Sequence, residues 1–159
     1  MAADPHNLRR YTERQAHVYE DAIAEIRAGH KSSCWMWYVI PTPPWIVNGE
    51  ERGSGINMRM ALRTDEQAAA FLRFSADGVN LRANYLEIMA AIRDQLKRGT
   101  TTRRLMGGAD EPKLVSSVHY FRKITAPDRE DDAELYTVVC EVAALIELEK
   151  RQHPKGTAM

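Results

Sequence analysis

The segment Lys31-Ser32-Ser33-Cys34-Trp35-Met36-Trp37-Tyr38-Val39-Ile40-Pro41 concentrates large apolar side chains in a way that no other stretch of the chain does. A packed Trp or Tyr side chain buries roughly 150–250 Å², so a compact domain is expected to assemble around these rings. The run is too short to cross a bilayer, which takes about 20 apolar residues. We therefore expect it to form core, with its polar beginning, residues 31–33, at the border of a site.

Length and charge restrict the class of protein. The chain has 159 residues, 44% of them hydrophobic, which is typical of one domain spanning residues 1–159. Its 22 basic residues balance 22 acidic ones, so the net charge gives no reason to expect a nucleic acid or an anionic membrane as a partner. The beginning, Met1-Ala2-Ala3-Asp4, shows no secretory signal, and a cytoplasmic location is expected.

The two cysteines and five histidines offer little chemistry. Cys34 and Cys140 lie far apart in hydrophobic surroundings, which favours two reduced, buried thiols over a disulfide. Cys34 as a nucleophile with His30 or His119 as its base is an alternative that requires direct contact between the two side chains. The histidines show no ligand spacing with each other or with the cysteines, so we expect no metal site, and no cofactor is indicated.

Apolar residues three and four positions apart predict the first helices. One runs from Leu8 to Ile26, between Asp4-Pro5 and Gly29. Thr64-Asp65-Glu66-Gln67 reads as a capping box that opens a short helix through Leu72. A third runs from Leu81 to Leu96 and ends at Gly99.

Two more helices follow. Asp110 is a candidate cap for a helix that carries Pro112 in its first turn. Its core-facing residues are expected to be Leu114, Val118 and Phe121. The final helix covers about residues 131–151, with a frayed tail over 152–159, and its inner stripe is Leu135, Val138, Val142 and Leu145. The prediction is a mainly α, single compact domain of about five helices.

A long loop rich in proline and glycine is predicted after the first helix. Pro41-Thr42-Pro43-Pro44-Trp45, Asn48-Gly49 and Gly53-Ser54-Gly55 place most of the local turn formers within one stretch. Loops of this length in compact domains are often functional. The glycines lack the spacing and the Lys-Ser/Thr ending of a phosphate-binding loop, so that motif is excluded.

Two blocks of residues resemble domain-of-unknown-function family 1810. The first comprises Tyr11, Gln15, Tyr19, Ala22, Glu25, Gly29-His30-Lys31, Trp35-Met36-Trp37-Tyr38 and Pro41. The second comprises Gly107, Asp110, Lys113-Leu114, Ser116-Ser117 and Phe121. The resemblance covers roughly residues 7–125 and implies a small, mainly α domain with no established activity. Some members bear the label calpastatin, but that inhibitor is largely disordered, unlike a chain with this helical periodicity.

The chain departs from the family pattern at three places. Cys34 stands where members usually have His, Ile40-Pro41-Thr42 stands where they have Phe-Pro-Gln, and His119-Tyr120-Phe121 stands where they have Thr-Leu-Phe. If those positions carry a common chemistry in the family, this member has altered it.

The polar residues beside the apolar ones indicate a ligand site. Lys113, Ser116 and Tyr120 form one stripe of a helix. We expect a cleft between the Lys31–Trp37 segment and the helix over 110–121. A small anionic, nucleotide-like ligand suits cations, hydroxyls and rings together. The candidate binding residues are Lys31, Trp35, Trp37, Arg52, Ser54, Lys113, Ser116 and Ser117. Hydrolysis of the ligand stays open, with Asp110 as the candidate general base.

Other interpretations compete with this one. Each lysine can pair with a carboxylate, each serine can cap a helix, and the tryptophans can be core. A non-enzymatic protein-interaction module is the main alternative, with Pro41-Thr42-Pro43-Pro44-Trp45 as an exposed hook for a protein partner. A homodimer formed through apolar helix faces is the third.

Overall fold

The computed structural model describes residues 3–127 and 131–152. Its helices are α1 (Arg9–Arg27), α2 (Met36–Val39), α3 (Gly55–Met60), α4 (Asp65–Phe71), α5 (Leu81–Lys97), α6 (Thr102–Met106), α7 (Glu111–Thr125) and α8 (Ala133–Gln152). Strands β1 (Trp45–Val47) and β2 (Glu50–Arg52) form one antiparallel hairpin, and β3 (Ser75–Ala76) and β4 (Val79–Asn80) form another. The chain is a single compact, mainly α domain, as predicted.

The five predicted helices correspond to α1, α4, α5, α7 and α8. The sequence did not reveal α2, α3 and α6, which have four, six and five residues. Helices this short complete less than two turns, so they show no apolar periodicity. Tertiary packing rather than local preference holds such segments.

Side chains hold the starts of α1 and α4, and the Thr64 cap of α4 is the predicted one. The Asp4 carboxylate accepts hydrogen bonds from the backbone N–H groups of Leu8 and Arg9, at 2.6 and 3.0 Å. The Thr64 hydroxyl accepts from the Gln67 N–H at 3.1 Å, and the Gln67 side chain accepts from the Arg63 N–H at 2.9 Å. These bonds satisfy N–H groups that have no partner within a helix.

Asp110 does not cap α7 with its side chain, which corrects the prediction. It precedes the helix with a helical backbone (φ −96°, ψ −15°), and its carboxylate makes no capping hydrogen bond. A side chain caps best from an extended backbone. Two lysines attract this carboxylate instead, as described below.

The expected loop over 41–55 contains a hairpin. Asn48 and Gly49 have φ of 52° and 81°, the positive values of a two-residue turn that matches strand twist. Trp45 then pairs with Arg52, and Val47 with Glu50. All three side chains of β1 remain exposed.

The core lies between α1, α4, α5, α7 and α8. Its largest fully buried side chains include Trp35, Tyr11, Tyr85, Phe71 and Phe121. The rings of Tyr85 and Phe121 pack with centroids 4.5 Å apart. The tryptophan-rich segment therefore supplies core, as expected, while Trp37 is only half-buried; its buried residues are Trp35, Met36, Tyr38, Val39 and Ile40.

The predicted inward faces of the last two helices are confirmed. Leu114, Val118 and Phe121 of α7 are fully buried. On α8, Leu135, Val138 and Val142 are buried and Leu145 is half-buried. The predicted frayed tail falls at residues 153–159, outside the described residues, apart from Gln152 at the end of α8. Within the described ranges, no helix is both long and apolar enough to cross a membrane.

Candidate functional site

Two lysines share the carboxylate of Asp110. The Lys31 ammonium lies 2.8 Å from Asp110 Oδ2, and the Lys113 ammonium lies 3.2 Å from Oδ1. Lys31 also lies over the Trp35 ring, 5.0 Å from its centroid, and Lys113 lies over the Trp37 ring at 5.1 Å. The family blocks that the sequence singled out therefore do meet in space.

Their meeting closes the cleft that was expected between them. The space beside Trp37 and Lys113 has a volume of only ≈10 Å³, which holds at most about one water molecule. The ion pair between Lys31 and Asp110 and the lysine–tryptophan contacts fill this interface. The expected cleft between the 31–37 segment and α7 is thus wrong in position.

Glu25 organises the segment before α2. Its carboxylate accepts hydrogen bonds from the N–H groups of Ser32 and Ser33, from the Ser33 hydroxyl and from the Trp35 indole, at 2.5–3.0 Å. Burial opposes the charge, but these four bonds outweigh it and lower the pKa of Glu25 to about 2. Glu25 is therefore ionised at neutral pH and holds residues 32–35 against α1.

A larger space, an open groove of ≈480 Å³, lies beside the first turns of α7. It runs between the hairpin side, residues 42–52, and the first turns of α7. Its lining residues are Thr42, Pro43, Pro44, Trp45, Ile46, Glu51, Arg52, Asn57, Ala109, Pro112, Lys113 and Ser116. This volume falls in the range of small-molecule sites, about 300–1,000 Å³.

The groove combines cations, a hydroxyl and apolar surface. Lys113 and Ser116, one helical turn apart on α7, face Arg52 of β2 across it. Trp45 and three prolines form apolar walls. The carboxylate of Glu51 is held by Arg63 through two contacts, at 3.1 and 2.9 Å. The charged lining of this groove therefore consists of two cations, Arg52 and Lys113, and one carboxylate, Glu51, that is held by Arg63.

Three predicted site residues, Arg52, Lys113 and Ser116, line the groove. The ring in its wall is Trp45, which the sequence had assigned to a protein-binding hook rather than to this site. Asn57 was missed altogether. The signal that was available for Trp45 was its position in the same turn-rich segment as Arg52.

The other predicted residues lie elsewhere. Trp35 is 1% exposed in the core, and Ser117 is buried with its hydroxyl 3.0 Å from the Tyr85 hydroxyl. Ser54 accepts a hydrogen bond from the Asn57 N–H and so caps α3. The Tyr120 hydroxyl turns to Thr64 and Asp65, at 3.2 Å from each.

Trp37 and Lys31 do not line the groove. Trp37 is half-buried, and its indole N–H donates to the Asn57 side-chain oxygen. Lys31 reaches the groove residue Lys113 only through Asp110. Both positions support side chains that line the groove.

The two cysteines are less buried than the sequence predicts. Cys34 is exposed and Cys140 is intermediate, so the prediction of two buried thiols is wrong, although both are free. Glu25 holds the backbone of Ser32 and Ser33, which keeps this turn at the surface. His30 lies 3.3 Å from the Arg104 carbonyl oxygen and His119 lies 3.3 Å from Arg122.

No cluster of His, Cys, Asp or Glu suited to a metal ion occurs in residues 3–127 and 131–152. A second groove, of ≈790 Å³, lies between α5 and α8. Its charged lining consists of Glu87, Arg93, Glu134 and Glu141. Its charge is thus opposite in sign to that of the α7 groove, which makes the α7 groove the better site for an anion.

A family model described as "Protein of unknown function (DUF1810)" matches residues 5–140. The chain belongs to this family. The match extends beyond the two blocks into α8, and it confirms the resemblance drawn from them.

A solved structure shares the fold of this DUF1810 protein. It is the crystal structure of the conserved hypothetical protein Rv1873 from Mycobacterium tuberculosis, whose sequence is 27% identical to that of this chain. The comparison covers 91% of this chain and 97% of that chain, with a TM-score of 0.68. The search of curated proteins found no match.

Proposed function

We propose that this DUF1810 protein binds a small anionic ligand with a flat apolar ring, such as a nucleotide, in the groove between the β1–β2 hairpin and α7. The observation that carries the proposal is the convergence of Lys113, Ser116, Arg52 and Trp45 on one groove of ≈480 Å³. Lysine and arginine contact anionic oxygens, and an aromatic face stacks on a base.

Electrostatics support an anion there. Asp110 neutralises only one of the two lysines that it contacts, so the group of Lys31, Asp110 and Lys113 carries one positive charge. Arg52 meets Glu50 at 3.6 Å, and both side chains are more than half exposed. Such a surface pair is weak, so Arg52 is free to turn toward a ligand.

The proposal is binding without a catalytic step. Both oxygens of Asp110 are already in ion pairs, Oδ2 with the Lys31 ammonium at 2.8 Å and Oδ1 with the Lys113 ammonium at 3.2 Å. A general base needs a free oxygen within hydrogen-bond reach of the proton that it removes. The geometry therefore supports Asp110 as the residue that orients two lysines.

Titration calorimetry with adenosine 5′-monophosphate tests the proposal. Lys113→Ala should weaken binding by about 10-fold or more, because a hydrogen bond to a charged group contributes about 1.5–3 kcal/mol. Trp45→Ala should cost a similar amount through lost stacking, about 1–3 kcal/mol. Both variants should remain folded, as a single cooperative thermal transition would show.

Lys123→Ala is the matched control. Lys123 lies on the same helix, is 64% exposed and pairs with Asp65 outside the groove. Its loss should leave the affinity unchanged. Absence of any binding to the wild-type protein, or equal affinities of the two lysine variants, would refute the proposed function.

A second candidate, a protein-interaction module, is favoured by one observation. Trp45, Ile46 and Val47 are 60%, 55% and 37% exposed on consecutive positions of β1. Large apolar side chains that cluster at a surface commonly mark an interface. This hairpin could dock on a protein partner or on a second copy of the chain.

Val47 separates the two candidates, because it belongs to the exposed strand but does not line the groove. Under ligand binding, Val47→Glu should leave the affinity for adenosine 5′-monophosphate unchanged. Under self-association through the hairpin, sedimentation equilibrium should show an oligomer that Val47→Glu dissociates.

A further inference from the structure

We infer that Asn57 is a specificity-determining residue of this groove, which donates a hydrogen bond to the anionic group of the ligand. The inference rests on the proposed function and adds to it the residue that selects an anionic acceptor. The first supporting observation is the hydrogen bond between Trp37 and Asn57.

The indole of Trp37 fixes the orientation of the Asn57 amide. The Trp37 indole N–H donates to Asn57 Oδ1. An indole nitrogen can only donate, so the amide oxygen must face Trp37 and the amide NH₂ must point away from it. The amide orientation is thus determined chemically rather than left ambiguous.

The NH₂ group of Asn57 belongs to a side chain that lines the groove. It finds no hydrogen-bond acceptor among residues 3–127 and 131–152, and Asn57 lines the groove. The nitrogen lies beside Gly53, where an added Cβ would come within 2.8 Å of it. Gly53 therefore leaves the space that this amide occupies.

Asn57 and Lys113 flank the same indole ring. Lys113 lies 5.1 Å from the Trp37 ring centroid, while Asn57 binds the indole nitrogen. The same two residues also border the small space behind the groove. Both residues also line the groove, and an ammonium and an amide NH₂ lining one groove suit an anionic group with several acceptor oxygens.

The amide and carboxylate oxygens of the groove already accept hydrogen bonds. Asn57 Oδ1 is bound by Trp37, and both oxygens of Glu51 are bound by Arg63. Lys113 and Arg52 can only donate. A ligand group made of acceptors can pair with these two cations and with the hydroxyls of Thr42 and Ser116, whereas a group made only of donors cannot pair with the cations, so the groove favours a ligand group with acceptors.

Asn57→Asp tests the inference with a nearly isosteric change. One carboxylate oxygen can still accept from Trp37, while the other replaces the donor by a negatively charged acceptor. Binding of adenosine 5′-monophosphate, measured by calorimetry, should weaken about 100-fold. Binding of adenosine, which has the ring without the phosphate, should change by less than about 2-fold.

Asn48→Asp is the matched control, since it adds the same charge at the hairpin tip. Asn48 has a φ of 52° and does not line the groove, and Asp tolerates this backbone conformation well. Its affinity for adenosine 5′-monophosphate should stay within about 2-fold of wild type. Asn57→Ala, which removes the donor without adding charge, should weaken binding about 10-fold and serves as the test if Asn57→Asp does not fold.

The outcomes are distinguishable. Loss of affinity at Asn57 but not at Asn48, confined to the phosphate-bearing compound, supports the inference. Equal affinity of wild type and the Asn57 variants, or equal loss for adenosine and its monophosphate, overturns it while leaving the proposed function intact. No binding of adenosine 5′-monophosphate to the wild-type protein overturns both.

Discussion

Glu25 shows how one side chain can hold a segment that the core depends on. Its four hydrogen bonds fix residues 32–35, including the buried Trp35. In Glu25→Gln, the amide NH₂ would face N–H donors and one acceptor site would be lost. We expect a loss of about 1–2 kcal/mol in the free energy of unfolding, at the low end of the usual range because Glu25 is partly exposed. Urea denaturation at pH 7 measures it, and an unchanged midpoint would show that the four bonds contribute nothing net.

The same residue predicts a pH dependence. The pKa of Glu25 falls from its ordinary value of 4.5 to about 2 in the folded protein. The stabilisation is therefore complete above about pH 5 and is lost as the pH falls through the folded pKa. Between pH 5 and pH 2, the free energy of unfolding should decline less steeply in Glu25→Gln than in wild type. Parallel declines in the two proteins would contradict this role.

At the residue scale, the sequence revealed part of the candidate site. Lys113 and Ser116 follow from spacing along one helix, which is a local property. The positions of Trp45 and Asn57 depend on how the hairpin and α3 pack beside α7, which is a long-range property. Residue type alone could not distinguish the buried Trp35 from the exposed Trp45.

At the scale of the element, helix ends obey local rules. Gly99 follows α5 with a φ of 96°, and no atom lies within 4 Å of the position that its Cβ would take. Gly99→Ala should therefore cost about 1 kcal/mol through backbone strain alone. Gly55, the first residue of α3, has no positive φ and serves as the control. Gly55→Ala should be neutral or slightly stabilising in thermal denaturation, and equal losses at both glycines would contradict the explanation.

Asp132 anchors α8 to the rest of the domain. It is 2% exposed at the N-terminal end of the helix and forms ion pairs with Arg73 and Arg82. Removing one partner of a buried ion pair is strongly destabilising, and Asp132→Asn should cost about 2–3 kcal/mol, because Arg73 remains partly solvated. Asp94→Asn, which affects a pair that is 61% exposed at the carboxylate, should change stability by less than about 0.5 kcal/mol. Chemical denaturation compares the two, and equal effects would rule out the anchor.

Elements differed in how far they could be predicted. Helices with several turns of periodic apolar residues, such as α1 and α5, were predicted closely. The β1–β2 hairpin gives no strand pattern in the sequence, because its strands have three residues each and expose all or most of their side chains. Asn48-Gly49 is the available signal for a hairpin, because this pair of residues favours a two-residue turn between strands.

At the scale of the whole molecule, the fold and the location of the site have different origins. The mainly α architecture follows from apolar stripes that can pack only against each other. The groove exists because the hairpin lies beside α7 without packing closely against it, which leaves ≈480 Å³ between them. Ion pairs seal the neighbouring interface that the sequence had favoured.

Chemical-shift mapping on isotopically labelled protein with adenosine 5′-monophosphate tests the central claim most directly. We predict saturable shifts of the Trp45 indole N–H, the Asn57 side-chain NH₂ and the backbone amides of Lys113 and Ser116. The amides of Ala83, Ala90 and Thr137, which line the larger groove between α5 and α8, should stay unchanged. Shifts confined to the α5–α8 groove, or no shifts at all, would contradict the assignment of ligand binding to the groove beside α7.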